Sequence, residues 1–449
     1  MLKTLKCGKG TYCTIQKALI QKRSFLSEAY RCEKAWQSRL ETPLLKKIKP
    51  QNLSLDIEHK HITAGKVNAL DIDIFANTVL EKYQVEELLT SIHNLRLTAE
   101  TSNTLESTHH AVIRYLLDND FTEDIINVLH DRLNYGIFPD HLCYNILMDT
   151  YIKKKDYVSA AKIAVLPMLQ EDYENQITNA LSVYSCYKYL EKPDDWPKPP
   201  VSIDDSKEEI KIRVDYLRNP FFDDHFDLTD PRDLVGKTLA FYGKIMNNTL
   251  GRTCQLRGLI LYKKYQDILE LIEKWLRQEN DNIIYEEIFE LIKKDNENLP
   301  VEEMTDEFKN VMSQVEKLKT VSLCKDNLIQ ALENEIKCAV DKQSETDINE
   351  QIKKYIVWGE QRQNLLNEQL EQINREKRIQ NIKQIKKKLQ EQEQLLTFFD
   401  KEEEIELEIE HLEEKDKEEM ERVLKMHHAV KKLKQLETQA EYIPPTVTK

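Results

Sequence analysis

The chain has 449 residues, of which 40% are hydrophobic and 32% charged, and its formal net charge is −14. This length is sufficient for a sizeable core, whereas the acidic balance excludes a conventional basic nucleic-acid binder. No run of 18 apolar residues occurs, so no membrane-spanning helix is predicted. The 8 cysteines form no CxxC pair, which argues against a zinc ribbon or a disulfide framework.

The first 25 residues have the composition of a mitochondrial transit peptide. They contain basic residues and no acidic ones, and Ile15, Leu19 and Ile20 lie on one helical side. The order Arg23-Ser24-Phe25 resembles a matrix-protease site and predicts cleavage after Phe25, so that the mature chain begins at or near Leu26. A disordered basic tail of a cytosolic protein is the alternative.

The next segment, residues 31–49, combines an excess of basic residues with one tryptophan, Trp36. Basic residues around an aromatic ring suit RNA, because they bind phosphates while the ring stacks on a base. A lone tryptophan is more often part of a core. The candidate RNA-binding residues here are Arg31, Lys34, Arg39, Lys46, Lys47 and Lys49.

Helical hairpins that recur at an interval of 35 residues are predicted between about Leu70 and Leu190. Gly136 predicts the end of a helix that contains Ile125, Val128 and Leu129, and Pro139 predicts the start of the next hairpin. The clearest copy has one apolar stripe, formed by Tyr144, Leu147, Met148, Tyr151 and Ile152, and a second helix with Ala160, Ala161 and Ala164 on its facing side. A further copy, shifted by two residues, begins at Ile72. The spacing predicts an all-α fold, an α-solenoid in which each hairpin packs against its neighbours.

The interval, the Tyr144-Asn145 opening and the close at Gly136-Ile137-Phe138-Pro139-Asp140 resemble the pentatricopeptide repeat, a family that binds single-stranded RNA. The resemblance assigns base reading to His110 with Asp140 and to Asn145 with Asn175. Two repeats in register cannot specify a useful sequence, so contacts with RNA shape and backbone are expected instead. The lysines Lys153, Lys154 and Lys155 are further candidates for such contacts.

A narrower resemblance is carried by residues 135–161 together with Leu26-Ser27, Ala29-Tyr30, Trp36 and Arg39. This combination is similar to a family of mitochondrial small-subunit ribosomal proteins. The similarity covers roughly the first half of the chain well, and residues 218–227 also resemble the family. Within the last hundred residues it extends only around Trp358. It implies a location in the mitochondrial matrix, on the mitochondrial ribosome.

The second half of the chain begins with a proline-rich stretch and ends in helix-forming residues. Residues 375–388 are strongly basic and 400–416 strongly acidic, so the charge is segregated, and Lys386, Lys387 and Lys388 are candidate RNA contacts. A solvated helix face is the alternative for both blocks. The predicted segments are the transit peptide, 1–25; the basic segment and repeat array, 26–190; a linker, 191–206; degenerate helical repeats, 207–340; and a long charged helix or coiled coil, 341–449.

No catalytic, cofactor or metal site is predicted. Gly236-Lys237-Thr238 resembles the end of a phosphate-binding loop, but Pro231 stands where that loop needs a glycine. A cluster of acids and one histidine suggests a metal site at first sight: Asp223, Asp224, His225, Asp227 and Asp230. Anchoring of this loop by its phenylalanines and helix capping by Asp230 explain the cluster equally well.

These observations predict a structural, non-enzymatic component of the mitochondrial small ribosomal subunit that supports mitochondrial translation. Its partners would be small-subunit ribosomal RNA and neighbouring ribosomal proteins, with no cofactor, small-molecule substrate or membrane. The alternative is a soluble mitochondrial pentatricopeptide factor for RNA stability or processing. A third reading is a metal-dependent RNA nuclease, which would require Asp224 and Asp227 to meet another carboxylate in space.

Overall fold

The computed structural model describes residues 24–193, 196, 223, 225–277, 282–297, 306–320, 322–397, 399–425 and 427–440. The predicted transit peptide before Ser24 and most of the predicted linker lie outside these ranges. Regular structure in the described residues is helical, with one isolated bridge between Tyr285 and Cys324, and the predicted all-α solenoid with a long C-terminal helix is confirmed. The chain divides into two compact units, Met1–Leu365 and Leu366–Lys449.

From Ser24 onward, the first unit consists of short helices followed by successive hairpins. Single turns of 3-10 helix at Glu28–Arg31, Ser38–Glu41 and Leu45–Lys47 flank the first short α-helix. The α-helices up to the proline-rich segment are α1 (Glu33–Gln37), α2 (Pro50–Ala64), α3 (Ala69–Thr78), α4 (Val85–Arg96), α5 (Glu106–Asp118), α6 (Thr122–His130), α7 (His141–Lys154), α8 (Tyr157–Leu169) and α9 (Gln176–Tyr189). The pairs α3–α4, α5–α6 and α7–α8 are the predicted hairpins.

The hairpin of α7 and α8 shows how the sequence specifies this architecture. The Asp140 side chain caps α7 by accepting the Cys143 backbone N–H at 2.8 Å, which satisfies one of the free donors at the helix start. The predicted stripe of α7 is buried, and the facing alanines of α8, Ala160, Ala161 and Ala164, are fully buried. Small side chains let the two helices approach closely. Pro167 lies within α8, which ends two residues later at Leu169.

Gly136 fulfils its predicted role in part. Its φ of +62° lies in the left-handed region, and a Cβ there would lie 3.0 Å from Nε of Arg96. Helix α6, however, already ends at His130, so the prediction that it extends to Gly136 was wrong. Asp131 ends it, because its carboxylate accepts the backbone N–H of Asn134 at 3.1 Å and holds a turn there.

The hairpins continue beyond the proline-rich segment as α10 (Pro231–Met246), α11 (Thr249–Leu261), α12 (Tyr265–Arg277), α13 (Ile288–Glu297) and α14 (Asp306–Lys317). Helices α10 and α11 pack most closely, through glycines spaced seven apart on each: Gly236 and Gly243 on α10, Gly251 and Gly258 on α11. A Cβ on Gly258 would collide with the backbone at Ala240. Gly236 therefore serves helix packing, which explains the motif that resembles a phosphate loop.

Helix α15 (Leu328–Thr397) begins before residue 341, where the long helix was predicted to start. Its N-terminal part, up to Leu365, belongs to the first unit and contributes Leu328, Leu332 and Ile336 to the main core. The second unit comprises the rest of α15, α16 (Glu402–Lys425) and α17 (His427–Ala440). Its described side chains are largely exposed.

Candidate nucleic-acid interface

The N-terminal part of α15 packs against the positions that a pentatricopeptide repeat would use to read bases. His110 on α5 and Asn145 on α7 occupy this position in two repeats, and Asp73 on α3 occupies it in the upstream copy that is shifted by two residues. Each of these side chains is buried. Each belongs to a hydrogen-bonded group that includes a side chain of α15, as the next paragraphs describe.

The upstream repeat holds the strongest of these contacts. Nε of Arg362 lies 2.6 Å from Oδ2 of Asp73, and both side chains are buried. Thr108 donates to Oδ1 of Asp73 at 2.9 Å, and the hydroxyl of Ser107 and the amide of Asn77 also donate to Oδ1. The carboxylate is thus fully surrounded by donors, which a buried charge requires.

The middle repeat meets α15 through Tyr355. The Tyr355 hydroxyl lies 3.0 Å from Nε2 of His110, whose Nδ1 lies 2.9 Å from Oδ2 of Asp140. Both rings pack edge-on or tilted against Trp358 of α15, with centroids 5.3 to 5.5 Å apart. The two residues proposed to read one base, His110 and Asp140, therefore bond to each other instead.

The third repeat meets α15 through Asp347. Oδ2 of Asp347 accepts from the Tyr30 hydroxyl at 2.7 Å and from the Asn175 amide at 2.9 Å. Asn145 donates to the same Tyr30 hydroxyl at 2.8 Å and is itself fully buried. Burial, followed by the neighbouring Asp347 charge, raises the pKa of Tyr30 well above its usual value, so the hydroxyl keeps its proton.

The spacing of the three contacts along α15 explains why one continuous helix contacts three hairpins. Arg362, Tyr355 and Asp347 are separated by seven and eight residues. At 1.5 Å per residue this corresponds to about 10 to 12 Å. Packed helices lie about 8 to 10 Å apart, so each step along α15 reaches the next hairpin. The surface to which the pentatricopeptide resemblance assigns base reading is occupied by the chain itself.

Trp36 also belongs to this core. It is 2% exposed and packs against the rings of His110 and Tyr355, with centroids 4.9 and 5.5 Å away. The guanidinium of Arg39 lies 3.6 Å from the centroid of the Trp36 ring, and burial lowers the pKa of Arg39 to about 10. Trp36 is therefore not available for stacking on a base, and the core interpretation of this tryptophan holds.

His110, Asp140 and Cys143 are the one group of metal-ligand type among the described residues, with ligand atoms within 4.8 Å of one another. Burial raises the pKa of Asp140, but the interaction with His110 and hydrogen bonds from His110 and Cys143 outweigh it and lower that pKa overall. Burial also raises the pKa of the Cys143 thiol far above its usual value, so it stays protonated. Each ligand atom already has a protein partner, which favours a hydrogen-bond network over a metal site.

The predicted RNA-binding residues fall into three groups by exposure. The exposed ones are Lys34, Lys46, Lys47, Lys49, Lys154, Lys155, Lys386, Lys387 and Lys388; the half-buried ones are Arg31, Arg39 and Lys153; the buried ones are His110 and Asn145. Neither buried side chain is open to a base in this structure. The four exposed lysines Lys34, Lys46, Lys47 and Lys49 are here called the N-terminal lysine group. The first three extend from short helices that precede α2, and Lys49 is the N-cap residue of α2.

The remaining candidate cations differ in their exposure and in whether an acidic side chain lies close to them. Lys153 pairs with buried Asp149 at 3.0 Å and Lys154 with Asp120 at 3.2 Å, whereas Lys155 is exposed at the C-terminal cap of α7. Lys387 lies 3.9 Å from Glu391 on the same helix. Exposed lysines with no acidic side chain close by are the most available for contacts with phosphates.

The family model of mitochondrial 28S ribosomal protein S27 matches residues 2–391. The chain belongs to this family. It is thus a component of the mitochondrial small ribosomal subunit, located in the mitochondrial matrix. The match reaches well beyond the first half of the chain and includes the part of α15 that fills the repeats, so the predicted extent of the similarity was too short.

The acidic cluster of this ribosomal protein was the candidate metal site, and Asp224 lies outside the described residues. The described acids of the cluster make hydrogen bonds typical of a loop and a helix cap. The carboxylates of Asp223 and Asp227 accept backbone N–H groups at 2.8 Å within the same loop. Asp230 caps α10 by accepting the Arg232 N–H at 3.0 Å, as the alternative explanation of the cluster requires. None of the described helices is both long and apolar enough to span a membrane.

Sequence reasoning missed the buried charged residues Asp73, Arg114 and Asp149, which join distant parts of the ribosomal protein. Arg114 donates to the Arg31 carbonyl at 2.9 Å and to Glu33 at 2.6 Å, and so holds the N-terminal segment on α5. A signal was present for Arg114 and Asp149, because each is a lone charge among apolar neighbours on its helix, whereas Asp73 follows Asp71 closely. Such a charge predicts a buried partner, although it does not identify that partner.

Proposed function

We propose that this small-subunit protein supports mitochondrial translation by binding ribosomal RNA through phosphate contacts of the N-terminal lysine group. One observation carries the proposal: the base-reading positions are buried under α15, whereas Lys34, Lys46, Lys47 and Lys49 are exposed. Phosphate contacts give affinity and orientation with little base information. The exposed cations Lys155 and Lys386 to Lys388 would add further contacts of the same kind.

The same arrangement supports a structural role over that of a soluble RNA factor. A factor that recognises messenger or transfer RNA by sequence needs open base-reading positions, and here they bond to Arg362, Tyr355 and the Tyr30–Asp347 pair. Neighbouring ribosomal proteins would dock on the second unit, where acidic α16 also exposes Leu407 and Leu412. A basic protein surface with an apolar centre complements such a helix.

RNA binding can be tested with the purified full chain and small-subunit ribosomal RNA fragments over a range of salt concentrations. Changing Lys34, Lys46, Lys47 and Lys49 to alanine should weaken binding and reduce the slope of log K against log salt by about 3, since each phosphate contact contributes about 0.7 to 0.9. Oligonucleotides of equal length but different sequence should bind with similar affinity.

A matched control removes the same charge elsewhere. Alanine at the exposed residues Lys66, Lys82, Lys293 and Lys294 changes net charge equally and should leave most of the salt slope in place. Equal losses in both variants would show that only net charge matters. Strong preference for one oligonucleotide sequence would instead favour the soluble RNA factor.

A further inference from the structure

The first residues that the structure describes contact a buried carboxylate, that of Asp149 on α7. Oδ1 of Asp149 accepts the backbone N–H of Phe25 at 2.9 Å and that of Leu26 at 3.4 Å. Oδ2 lies 3.2 Å from the Ser24 hydroxyl and 3.0 Å from Nζ of Lys153. The Asp149 side chain is only 4% exposed.

This carboxylate is unexpected where it stands. Met148 and Tyr151, its neighbours on α7, are fully buried members of the apolar stripe, and a carboxylate among them carries a desolvation penalty. Lys153 offsets part of that penalty, but it is 21% exposed and bonds to Oδ2 alone. Oδ1 is left with neutral amide donors. Hydrogen bonds from charged donors are roughly twice as strong, so Oδ1 would gain from a cation.

The amide donors belong to the residues where proteolytic processing is predicted. Hydrolysis of the Ser24–Phe25 or the Phe25–Leu26 peptide bond consumes one water molecule. It leaves a carboxylate on the departing peptide and an amine on the chain, which takes up a proton to become an α-ammonium group. The nitrogen of that group is the same atom that now lies 2.9 or 3.4 Å from Oδ1 of Asp149.

We propose that Asp149 is a binding site for the α-ammonium group of the processed chain, so that removal of the N-terminal segment adds a buried ion pair and stabilises the fold. The new terminus is already positioned: the Phe25 ring packs edge-on against Tyr184, with centroids 5.2 Å apart, and Leu26 is buried in the main core. An ammonium group has three donors, so it replaces the bond lost with Ser24. The site is independent of RNA binding.

The test uses the full chain with a specific protease sequence in place of residues 19–24, so that cutting releases Phe25 as the first residue. The midpoint of urea unfolding is measured before and after the cut. Cutting should lower the unfolding equilibrium constant by about tenfold, which is the low end for a charge-assisted hydrogen bond. In Asp149→Asn, cutting should have little effect, because the amide carries no charge to pair with the new amine.

Two controls keep Asp149 intact, in case the Asp149→Asn chain does not fold. In one, the cut leaves Gly-Ser before Phe25 and so moves the amine by two residues; in the other, the released amine is acetylated. Neither control should show the tenfold decrease in the unfolding equilibrium constant. Equal gains in all chains would overturn the proposal, because they would show that loss of the leader itself stabilises the fold.

The natural protein gives an independent result. Mass spectrometry of the chain isolated from mitochondria should find Phe25 or Leu26 at its N-terminus. A mature chain that retains residues before Ser24, or that begins after Ser27, would overturn the proposal.

Discussion

The contact of Arg362 with Asp73 leads to a sharp prediction about how α15 is held on the repeats. Replacing Arg362 by methionine keeps most of the side-chain volume but removes the guanidinium. Asp73 is 0% exposed and would remain as a buried carboxylate with neutral donors from Ser107, Thr108 and Asn77. Breaking a buried ion pair from one side costs about 3 to 5 kcal/mol.

The loss of stability should depend on which of the two charges is removed. Arg362 is preceded by Gln361 and followed by Gln363, both exposed, so a guanidinium without its partner can turn towards water. Asp73 lies inside α3 among buried residues and cannot. We therefore expect Arg362→Met to lower the free energy of unfolding by about 3 kcal/mol and Asp73→Asn to lower it by about 2 kcal/mol. The double variant should lose less than the sum of these two values, because neither charge is then left alone.

Hydrogen exchange measured by mass spectrometry can follow α15 directly. Peptides covering residues 345–365 should lose protection by somewhat over a hundredfold in Arg362→Met, since 1.4 kcal/mol corresponds to a factor of ten. Peptides from α11 should change little. A loss of protection of less than fivefold in Arg362→Met would refute the claim that this ion pair holds α15 in place. Strictly additive effects of the two substitutions on the free energy of unfolding would refute it as well.

Three further predictions concern packing, pH and assembly. Gly258→Ala should lower the free energy of unfolding by about 1 to 3 kcal/mol, because its methyl group meets the Ala240 backbone, whereas Gly359→Ala, in open space on α15, should raise it by up to about 1 kcal/mol; urea unfolding of both variants decides. Burial lowers the pKa of His109 from 6.5 to about 4, so the unfolded chain binds this proton first as the pH falls. The free energy of unfolding should therefore decrease by at most about 3 kcal/mol between pH 6.5 and pH 4, and His109→Gln should flatten the unfolding profile over that range. On a density gradient the protein should sediment with the small ribosomal subunit both with and without magnesium. Sedimentation as free protein, in a lysate whose small subunits are intact, would contradict this prediction.

Much of the solenoid follows from the sequence, because hydrophobic periodicity reports directly which helix faces are buried. The stripe of α7 and its small partners on α8 were predicted residue by residue, since a 3.6-residue period is visible in a single helix. The end of α6 was placed too late, because Gly136 is a strong stop signal, whereas the turn at Asp131 depends on a single carboxylate.

The occupied inner surface of the repeats could not be predicted in the same way. Asp73 and Arg362 are 289 residues apart, and neither carries a mark of its partner. The pentatricopeptide resemblance assigned base reading to His110 and Asn145 by their repeat position, but their imidazole and amide groups bond equally well to Tyr355 and Tyr30. Residue type at a repeat position therefore identifies a polar contact without identifying the molecule on the other side.

Charge also decides what this inner surface is suited to hold. Asp73 and Asp140 line the repeats there. A phosphate backbone would meet these negative charges at close range, whereas α15 brings Arg362 to Asp73 and the Tyr355 hydroxyl to His110, which itself bonds to Asp140. A groove lined in this way selects a protein helix over RNA. The RNA contacts that we propose would then fall to cations outside the groove, as an acidic chain that belongs to the ribosome requires.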